Sequence, residues 1–354
     1  MARKILWVSL FVLPSVCLLA DYAAGVGHVA DFVLAALALL PLAWVIGEAT
    51  EHAAEHTGPG IGGFLNASFG NAPELIIALI AVADGLRGVV RGTITGSVVS
   101  NLLLVLGAAL VVGHGDDRAR RVDRSSLLVQ LALVLGAVAA FLLTSVAALH
   151  GDRDRHTLAV WSLPIAVGLL AAYVAVTVHG LRRHRRLHEE AEPAAASGWS
   201  LARSLAVLGA ATVVTALVSE ILVHSLAAFA QTAGLSTFFT SAVIVAIVGN
   251  AAEHGGAVVI ARRGKFRLPS EIAVSSAAQV ALLVTPLVVI LSFAVRPPLA
   301  LAFRPVELAT MAGAAVLVAL VVRDERVARS EGVMLLAAYA VCVAWYWLAG
   351  DLAP

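Results

Sequence analysis

The sequence predicts an all-α polytopic membrane protein with eleven transmembrane helices, arranged as one leading helix and two inverted five-helix repeats. Hydrophobic residues fill 60% of the 354 positions and charged residues 13%, whereas soluble domains are about a quarter charged. Apolar runs of about 17–25 residues, long enough to cross a bilayer, recur along the whole chain. A polar motif in the first half of the chain returns in the second half.

The apolar runs predict helices, in order, near 5–20, 30–48, 62–83, 93–113, 126–149, 157–180, 202–230, 236–262, 270–293, 299–322 and 331–350. The first run has no small-residue cleavage site after it, so we interpret it as a helix rather than a signal peptide. Residues 181–200 are charged and then rich in Pro, Ala and Ser, which is typical of a solvated linker. The predicted domains are a leading helix (1–27), a first repeat (28–180), a cytoplasmic linker (181–200) and a second repeat (201–354).

The distribution of Lys and Arg predicts the orientation, because cytoplasmic loops carry an excess of both. With a cytoplasmic N-terminus, 18 of the 24 basic residues fall on the cytoplasmic side. An odd number of helices per repeat makes the two repeats opposite in direction, as in many secondary transporters. We therefore expect a multi-pass protein of the cell membrane whose C-terminus lies on the opposite side. The net charge of +1 gives no support to a nucleic-acid partner.

The repeated motif places the same polar face in both halves of the chain. Gly70-Asn71-Ala72-Pro73-Glu74 matches Gly249-Asn250-Ala251-Ala252-Glu253, and in each copy Asn and Glu share one face of a helix. An ionised carboxylate at bilayer depth costs about 3 kcal/mol or more, so membrane helices rarely carry one without a function. The alternative is that each Asn and Glu only satisfy each other in a helix interface. Repetition in both halves favours a site.

Side-chain amides follow each motif at nearly the same spacing. Asn101 lies 27 residues after Glu74, and Gln279 lies 26 residues after Glu253, each with hydroxyl neighbours. Carboxylate, amide and hydroxyl oxygens suit hard cations such as calcium, and the absence of a thiolate from this set disfavours zinc and copper. Two carboxylates in a low dielectric also bind protons, so calcium and protons are expected to compete for them. No cofactor is expected. The predicted supporting residues are Gly70, Asn71, Ser100, Asn101, Gly249, Asn250, Ser276 and Gln279.

The sequence resembles the calcium/cation antiporter superfamily and, within it, the cation/proton exchanger family. Residues 62–79 and 249–254 carry the resemblance, with support from 48–58, 96–102 and 275–282. It implies an eleven-helix fold in which Glu74 and Glu253 carry calcium and protons, and exchange of cytoplasmic calcium for external protons. Pro73 departs from the family pattern, which has a small or hydroxylated residue at this position.

Other acidic residues have competing interpretations. Glu48, Glu51, Glu55 and Glu220 are predicted to form a cytoplasmic vestibule or gate that concentrates cations. The alternative for the first three is a solvated helix end, and the alternative for Glu220 is a hydrogen bond in a helix interface. His52, Glu55 and His56 also match the H-x-x-E-H pattern of a zinc peptidase. We favour a transporter over an enzyme, because no third zinc ligand is evident. The alternatives to calcium/proton exchange are a sodium-coupled cation/calcium exchanger and a cation channel.

Overall fold

The computed structural model describes residues 2–113, 121–149, 155–187, 198–264, 266–295 and 298–350, and these residues are almost all helical. Short π-helical segments at Ala20–Ala24, Ser100–Val105, Thr240–Val245 and Val280–Val284 interrupt or extend the α-helices. The α-helices are α1 (Ala2–Leu19), α2 (His28–Gly70), α3 (Ala72–Ala83), α4 (Arg87–Val99), α5 (Leu106–Val112), α6 (Arg124–Leu149), α7 (Arg155–Leu187), α8 (Leu201–Ala233), α9 (Thr237–Phe239), α10 (Ala246–Gly249), α11 (Ala251–Arg262), α12 (Arg267–Gln279), α13 (Thr285–Val295), α14 (Pro305–Val321) and α15 (Arg329–Ala349).

Eight helices within the described ranges are long and apolar enough to cross a membrane. A ninth candidate is the pair Thr237–Gly249 and Glu253–Arg262, which is bent by 59°. Trp7–Ala23 and Ala72–Ala83 are shorter apolar helices. The all-helical membrane fold is thus confirmed, while the count of eleven spans stays a prediction.

Several helix boundaries differ from the sequence prediction; α4 begins at Arg87 rather than near 93, and α14 begins at Pro305 rather than near 299. The predicted gap between the second and third helices is wrong, because α2 continues without interruption from His28 to Gly70. Pro and Gly are tolerated inside membrane helices, so the Gly-Pro-Gly sequence at 58–60 does not end it. The helix α7 extends to Leu187, so it includes the first residues of the predicted linker. Residues 188–197 of that linker lie outside the described residues.

Several loops lie together on one face of the molecule, and the distribution of basic residues predicts that all of them are on the same side of the membrane. Arg267 contacts Asp123 at 2.7 Å, and Arg121 pairs with Arg326 in an isolated β-bridge. Hydrogen bonds from the Ser125 side chain and the Ser126 N–H hold the pKa of Asp123 below its usual value. We call this side the arginine-rich face.

The opposite side, which we call the C-terminal face, is held together by a buried ion cluster. Arg304 contacts Glu307 at 2.7 Å and donates to the Gly350 carbonyl at 3.0 Å. Arg91 at the start of α4 lies 3.7 Å from the same glutamate. The Arg304 guanidinium also lies 3.9 Å above the ring of Phe238, where α9 begins the second-half motif helix. Loops from both halves of the chain therefore meet at this face.

Close packing between α4 and the segment Thr240–Val245 joins the two halves beside the site. A Cβ on Gly92 would lie 2.8 Å from the Cβ of Ser241, and a Cβ on Gly96 would overlap the backbone carbonyl of Ala242. Small residues at membrane helix interfaces permit such close backbone approach. The two glycines therefore bring Ser97, Ser100 and Asn101 of the first half close to the second-half motif.

Candidate ion-binding site

Both motif helices break at the asparagine. Asn71 has φ −99° and ψ 19°, and Asn250 has φ −89° and ψ 11°, so the two breaks have nearly the same geometry. Each asparagine starts a new helix, because its carbonyl accepts a hydrogen bond from the N–H four residues later, at 3.1 Å and 3.0 Å. Pro73 fits this arrangement without distortion, because it lies in the first turn, where a missing N–H costs nothing.

The breaks place both carboxylates at helix N-termini. Glu74 lies in the first turn of α3 and Glu253 in the first turn of α11. The positive end of a helix dipole favours negative charge at such a position. The half-helices run in opposite directions. The helix α3 leads into α4, whose Arg91 contacts Glu307 at the C-terminal face, whereas α11 leads into α12, whose Arg267 contacts Asp123 at the arginine-rich face.

Each carboxylate lies beside the glycine of the other motif. A Cβ on Gly249 would lie 3.5 Å from Oε1 of Glu74, and a Cβ on Gly70 would lie 3.6 Å from Oε1 of Glu253. The structure therefore brings together the two halves of the predicted site, which are about 180 residues apart in the sequence. The missing side chains leave free space directly against both carboxylates.

Amide and hydroxyl groups connect the two motifs in a buried network. The Asn101 side chain donates to Oδ1 of Asn250 and to the Ser276 hydroxyl, both at 3.0 Å. Asn250 donates to the Ser97 hydroxyl at 2.8 Å, and the Ser276 hydroxyl donates to Oε2 of Glu253. Four helical segments from both halves thereby hold one carboxylate in place.

The second carboxylate has a different environment. Asn71 donates to Oε1 of Gln279 at 2.7 Å. Oε2 of Glu74 and Oδ1 of Asn101 are buried and accept no hydrogen bond from the described residues. Buried polar atoms normally have a hydrogen-bond partner, so each of these oxygens is expected to bind a proton, a water molecule or an ion. The donor set is oxygen-only, as calcium requires.

Two features of the site are absent from the sequence prediction. Ser97 belongs to the hydrogen-bond network. In the sequence, its position one helical turn before Asn101, on the same helix face, is the feature that could have identified it. One π-helical segment begins at Ser100, one residue before Asn101, and another begins at Val280, one residue after Gln279, so each lies next to a site amide. Short π-segments within α-helices often occur at functional sites.

The two carboxylates differ in accessibility. Glu74 is only 3% exposed, whereas Glu253 is partly exposed and is followed by exposed Gly255 and Gly256. Since α11 continues to Arg262, this exposed surface lies on the half of the helix that leads to the arginine-rich face. Ile77 and Ala81, on the corresponding part of α3, are fully buried.

The remaining predicted acidic residues do not lie together. Glu48, Glu51 and Glu55 lie on α2 toward the arginine-rich face, where His52 stacks on Trp199 at 4.9 Å. Glu220 is exposed on α8, one turn from His224, toward the C-terminal face. These positions separate Glu220 from the other three glutamates.

The zinc-peptidase pattern does not form a ligand cluster. His56 Nε2 lies 2.7 Å from the Trp199 carbonyl, while His52 approaches Glu48 at 3.8 Å and Glu55 at 3.5 Å. Among the described side chains, no group of three or more His, Cys, Asp or Glu is arranged to hold a metal.

The helical membrane fold and the paired carboxylates between two broken helices are typical of a multi-pass secondary transporter. Comparison with known proteins agrees. Residues 27–181 and 203–348 match the model of the sodium/calcium exchanger protein family. The chain therefore belongs to that family, which confirms the resemblance seen in the sequence.

Individual relatives cover almost the whole chain. The Ca(2+)/H(+) antiporter of Aphanothece halophytica is 36% identical over 337 residues, covering 89% of each chain. The Ca(2+)/H(+) antiporter ChaA of Bacillus subtilis is 37% identical over 328 residues, covering 90% of this chain and 92% of that protein. The solved structure of native YfkE is 31% identical, with a TM-score of 0.82 over 97% of this chain and 99% of the other.

Proposed function

We propose that this chain exports cytoplasmic calcium in exchange for protons, and that the two ions compete for Glu74 and Glu253. The observation that carries the proposal is that each carboxylate lies beside the glycine of the other motif, within a network whose possible ion ligands are all oxygen atoms. One buried oxygen of Glu74 accepts no hydrogen bond from the described residues, as expected for an atom that receives a proton or an ion in turn. The names of the curated relatives support the choice of calcium and protons.

Alternating access follows if the two halves are inverted repeats. The matching breaks at Asn71 and Asn250, and the opposite directions of α3 and α11, support such repeats. We infer that the arginine-rich face is cytoplasmic, as the basic-residue distribution predicts. The N-terminus is then cytoplasmic, the C-terminus is outside, and eleven helices span the membrane. The partly exposed Glu253 is reached from the cytoplasm in this conformation.

The mechanism depends on what the carboxylates bind. Two ionised carboxylates without a bound ion have a high free energy in a low dielectric. The empty transporter is therefore not expected to switch its access from one side of the membrane to the other. A calcium ion, or protons, neutralise them and allow the site to change its access. The network through Asn101, Asn250 and Ser276 keeps the Glu253 carboxylate oriented in both loaded forms.

Calcium flux in proteoliposomes, with an imposed pH gradient and no sodium, tests the proposal. The parent protein should move calcium against the proton flow, while Glu74→Gln and Glu253→Gln should reduce flux to the level of protein-free liposomes. Glutamine keeps the shape of the side chain but removes its charge and its titratable proton. Glu271→Gln is the matched control, because this carboxylate lies on α12, outside the site, beside Arg267. Flux that needs a sodium gradient, or near-parental flux in either site variant, would contradict the proposal.

A further inference from the structure

A second repeated pattern lies outside the central site. Glu48 and His52 are four residues apart on α2, and Glu220 and His224 are four residues apart on α8. The α2 pair lies toward the arginine-rich face and the α8 pair toward the C-terminal face. Each helix that precedes a motif therefore carries one Glu–His pair, at opposite sides of the membrane.

The two histidines have different partners. His224 Nε2 lies 3.1 Å from Oδ2 of Asp84, the residue directly after α3. His52 instead contacts Glu48 and Glu55 on its own helix. Arg263 lies directly after α11, at the position that Asp84 has after α3. An arginine at this position cannot form an ion pair with a protonated histidine. Among the described residues, the α8 histidine therefore faces a carboxylate at the end of the neighbouring motif helix, and the α2 histidine does not.

The contact between α8 and α3 lies at the C-terminal face. The side chains of His224 and Asp84 are 54% and 30% exposed, so both are accessible from outside the protein. Below them, Thr215 and Ser219 on α8 are fully buried. Other charged groups on this side are Glu220 on α8, His28 and Asp31 on the start of α2, and Asp21 after α1. Arg87 and Arg91 on α4 and the Arg304–Glu307 pair at α14 also lie on this side. The start of α2 packs on α8 through Phe32 and Phe229, whose ring centroids are 4.1 Å apart.

We propose that Asp84 and His224 form a second proton-binding site, separate from the central carboxylates, which closes the outer mouth when it is protonated. Protonation turns the contact into an ion pair and holds α8 against the end of α3. The proposal rests on the proposed function in one respect, the assignment of the C-terminal face to the outside. Both side chains are partly exposed, so external protons can reach this contact directly.

Protonation of the Asp84–His224 contact favours one direction of the transport cycle. Acid outside the membrane loads the central carboxylates and also protonates His224. The resulting ion pair favours the closed outer mouth, so the proton-loaded carrier is released toward the cytoplasm. At alkaline external pH the pair weakens, and the outer mouth stays open for longer.

Cysteine accessibility in intact cells tests the gate without requiring transport. The reporter is Ser219→Cys, in a background with Cys17→Ser and Cys342→Ser, treated with a membrane-impermeant maleimide at external pH 6 and 8. His224→Gln in the same background corrects for the intrinsic effect of pH on thiol reactivity. Relative to that variant, the parent reporter should label about two- to fivefold more slowly at pH 6 than at pH 8, the range expected of a partly exposed ion pair.

Additional variants separate the ion pair from a general structural effect. His224→Lys carries a permanent charge and should keep labelling slow at both pH values. Asp84→Asn should match His224→Gln, and combining the two should add nothing. Asp123→Asn, which breaks an exposed ion pair at the opposite face, should leave labelling unchanged.

Two outcomes would overturn the gate. One is a parent pH profile equal to that of His224→Gln, and the other is a clear effect of Asp123→Asn. Failure of the gate is distinguishable from failure of the proposed function. Proton-driven calcium flux without pH-dependent labelling would remove only the gate, whereas pH-dependent labelling without proton-driven flux would remove only the proposed exchange.

Discussion

At the scale of single residues, the two motif glycines determine how much room each carboxylate has. A Cβ at Gly70 or Gly249 would stand at ordinary van der Waals distance from a carboxylate of the other motif. Alanine therefore fits without moving the backbone, but its methyl group occupies the space beside the charged oxygen. We therefore expect the glycines to leave room for the ion rather than to permit the helix packing.

We predict that Gly70→Ala and Gly249→Ala weaken calcium binding while leaving the fold intact. The apparent KM for calcium should rise by about tenfold, which corresponds to about 1.4 kcal/mol, with an unchanged melting temperature. Calcium-dependent flux at a series of concentrations measures the effect. Gly136→Ala on α6 is the control, because a Cβ there has no atom within 4 Å. An unchanged KM in both site variants would show that the space is not used by the ion.

At the scale of elements, the contact between α4 and Thr240–Val245 sets the geometry of the site. The first helix supplies Ser97, Ser100 and Asn101, and the second leads directly into Asn250. A Cβ on Gly96 would overlap the Ala242 carbonyl, which is backbone and has little freedom to move. This interface therefore tolerates no larger residue without separation of the two helices.

Gly96→Ala should accordingly destabilise the whole protein. Overpacking of this kind typically costs about 1–3 kcal/mol, so we expect a lower melting temperature in detergent and a lower yield of folded protein. Gly88→Ala provides a control on the same helix, because a Cβ at that position meets no atom within 4 Å. A parental melting temperature in Gly96→Ala would mean that the helices can separate at no cost.

At the scale of the whole molecule, the proposed function requires one shared site to serve two ions in turn. Protonated carboxylates are poor calcium ligands, and sufficient calcium displaces the protons by mass action. Lowering the pH on the calcium-binding side should therefore raise the apparent KM for calcium. The maximal rate at saturating calcium on that side should change much less.

Calcium kinetics in proteoliposomes, with the pH clamped on both sides, measure this competition. A rise in KM of several-fold per pH unit is expected once the carboxylates begin to bind protons, and none at higher pH, where both are ionised. Purely non-competitive inhibition by protons would exclude a shared site.

The class of the protein and the identity of its polar residues follow from the sequence. Membrane helices are recognisable because bilayer thickness imposes a minimum apolar length. Glu74 and Glu253 are recognisable because buried charge in a membrane is costly and therefore rare. Both signals are local in the chain, so no knowledge of packing is needed to detect them. The similarity of the two motifs is likewise visible in the sequence.

The contacts between distant residues were decided by the tertiary structure. The sequence does not show that Glu253 lies beside Gly70, or that Asn101 bonds to Asn250 and Ser276. It also does not show that α2 continues to Gly70, or that His224 meets Asp84. Hydropathy determines which segments enter the membrane, but helix packing there depends on close backbone approach at a few small residues. Which helices meet, and at what depth, therefore emerges only from the packed molecule.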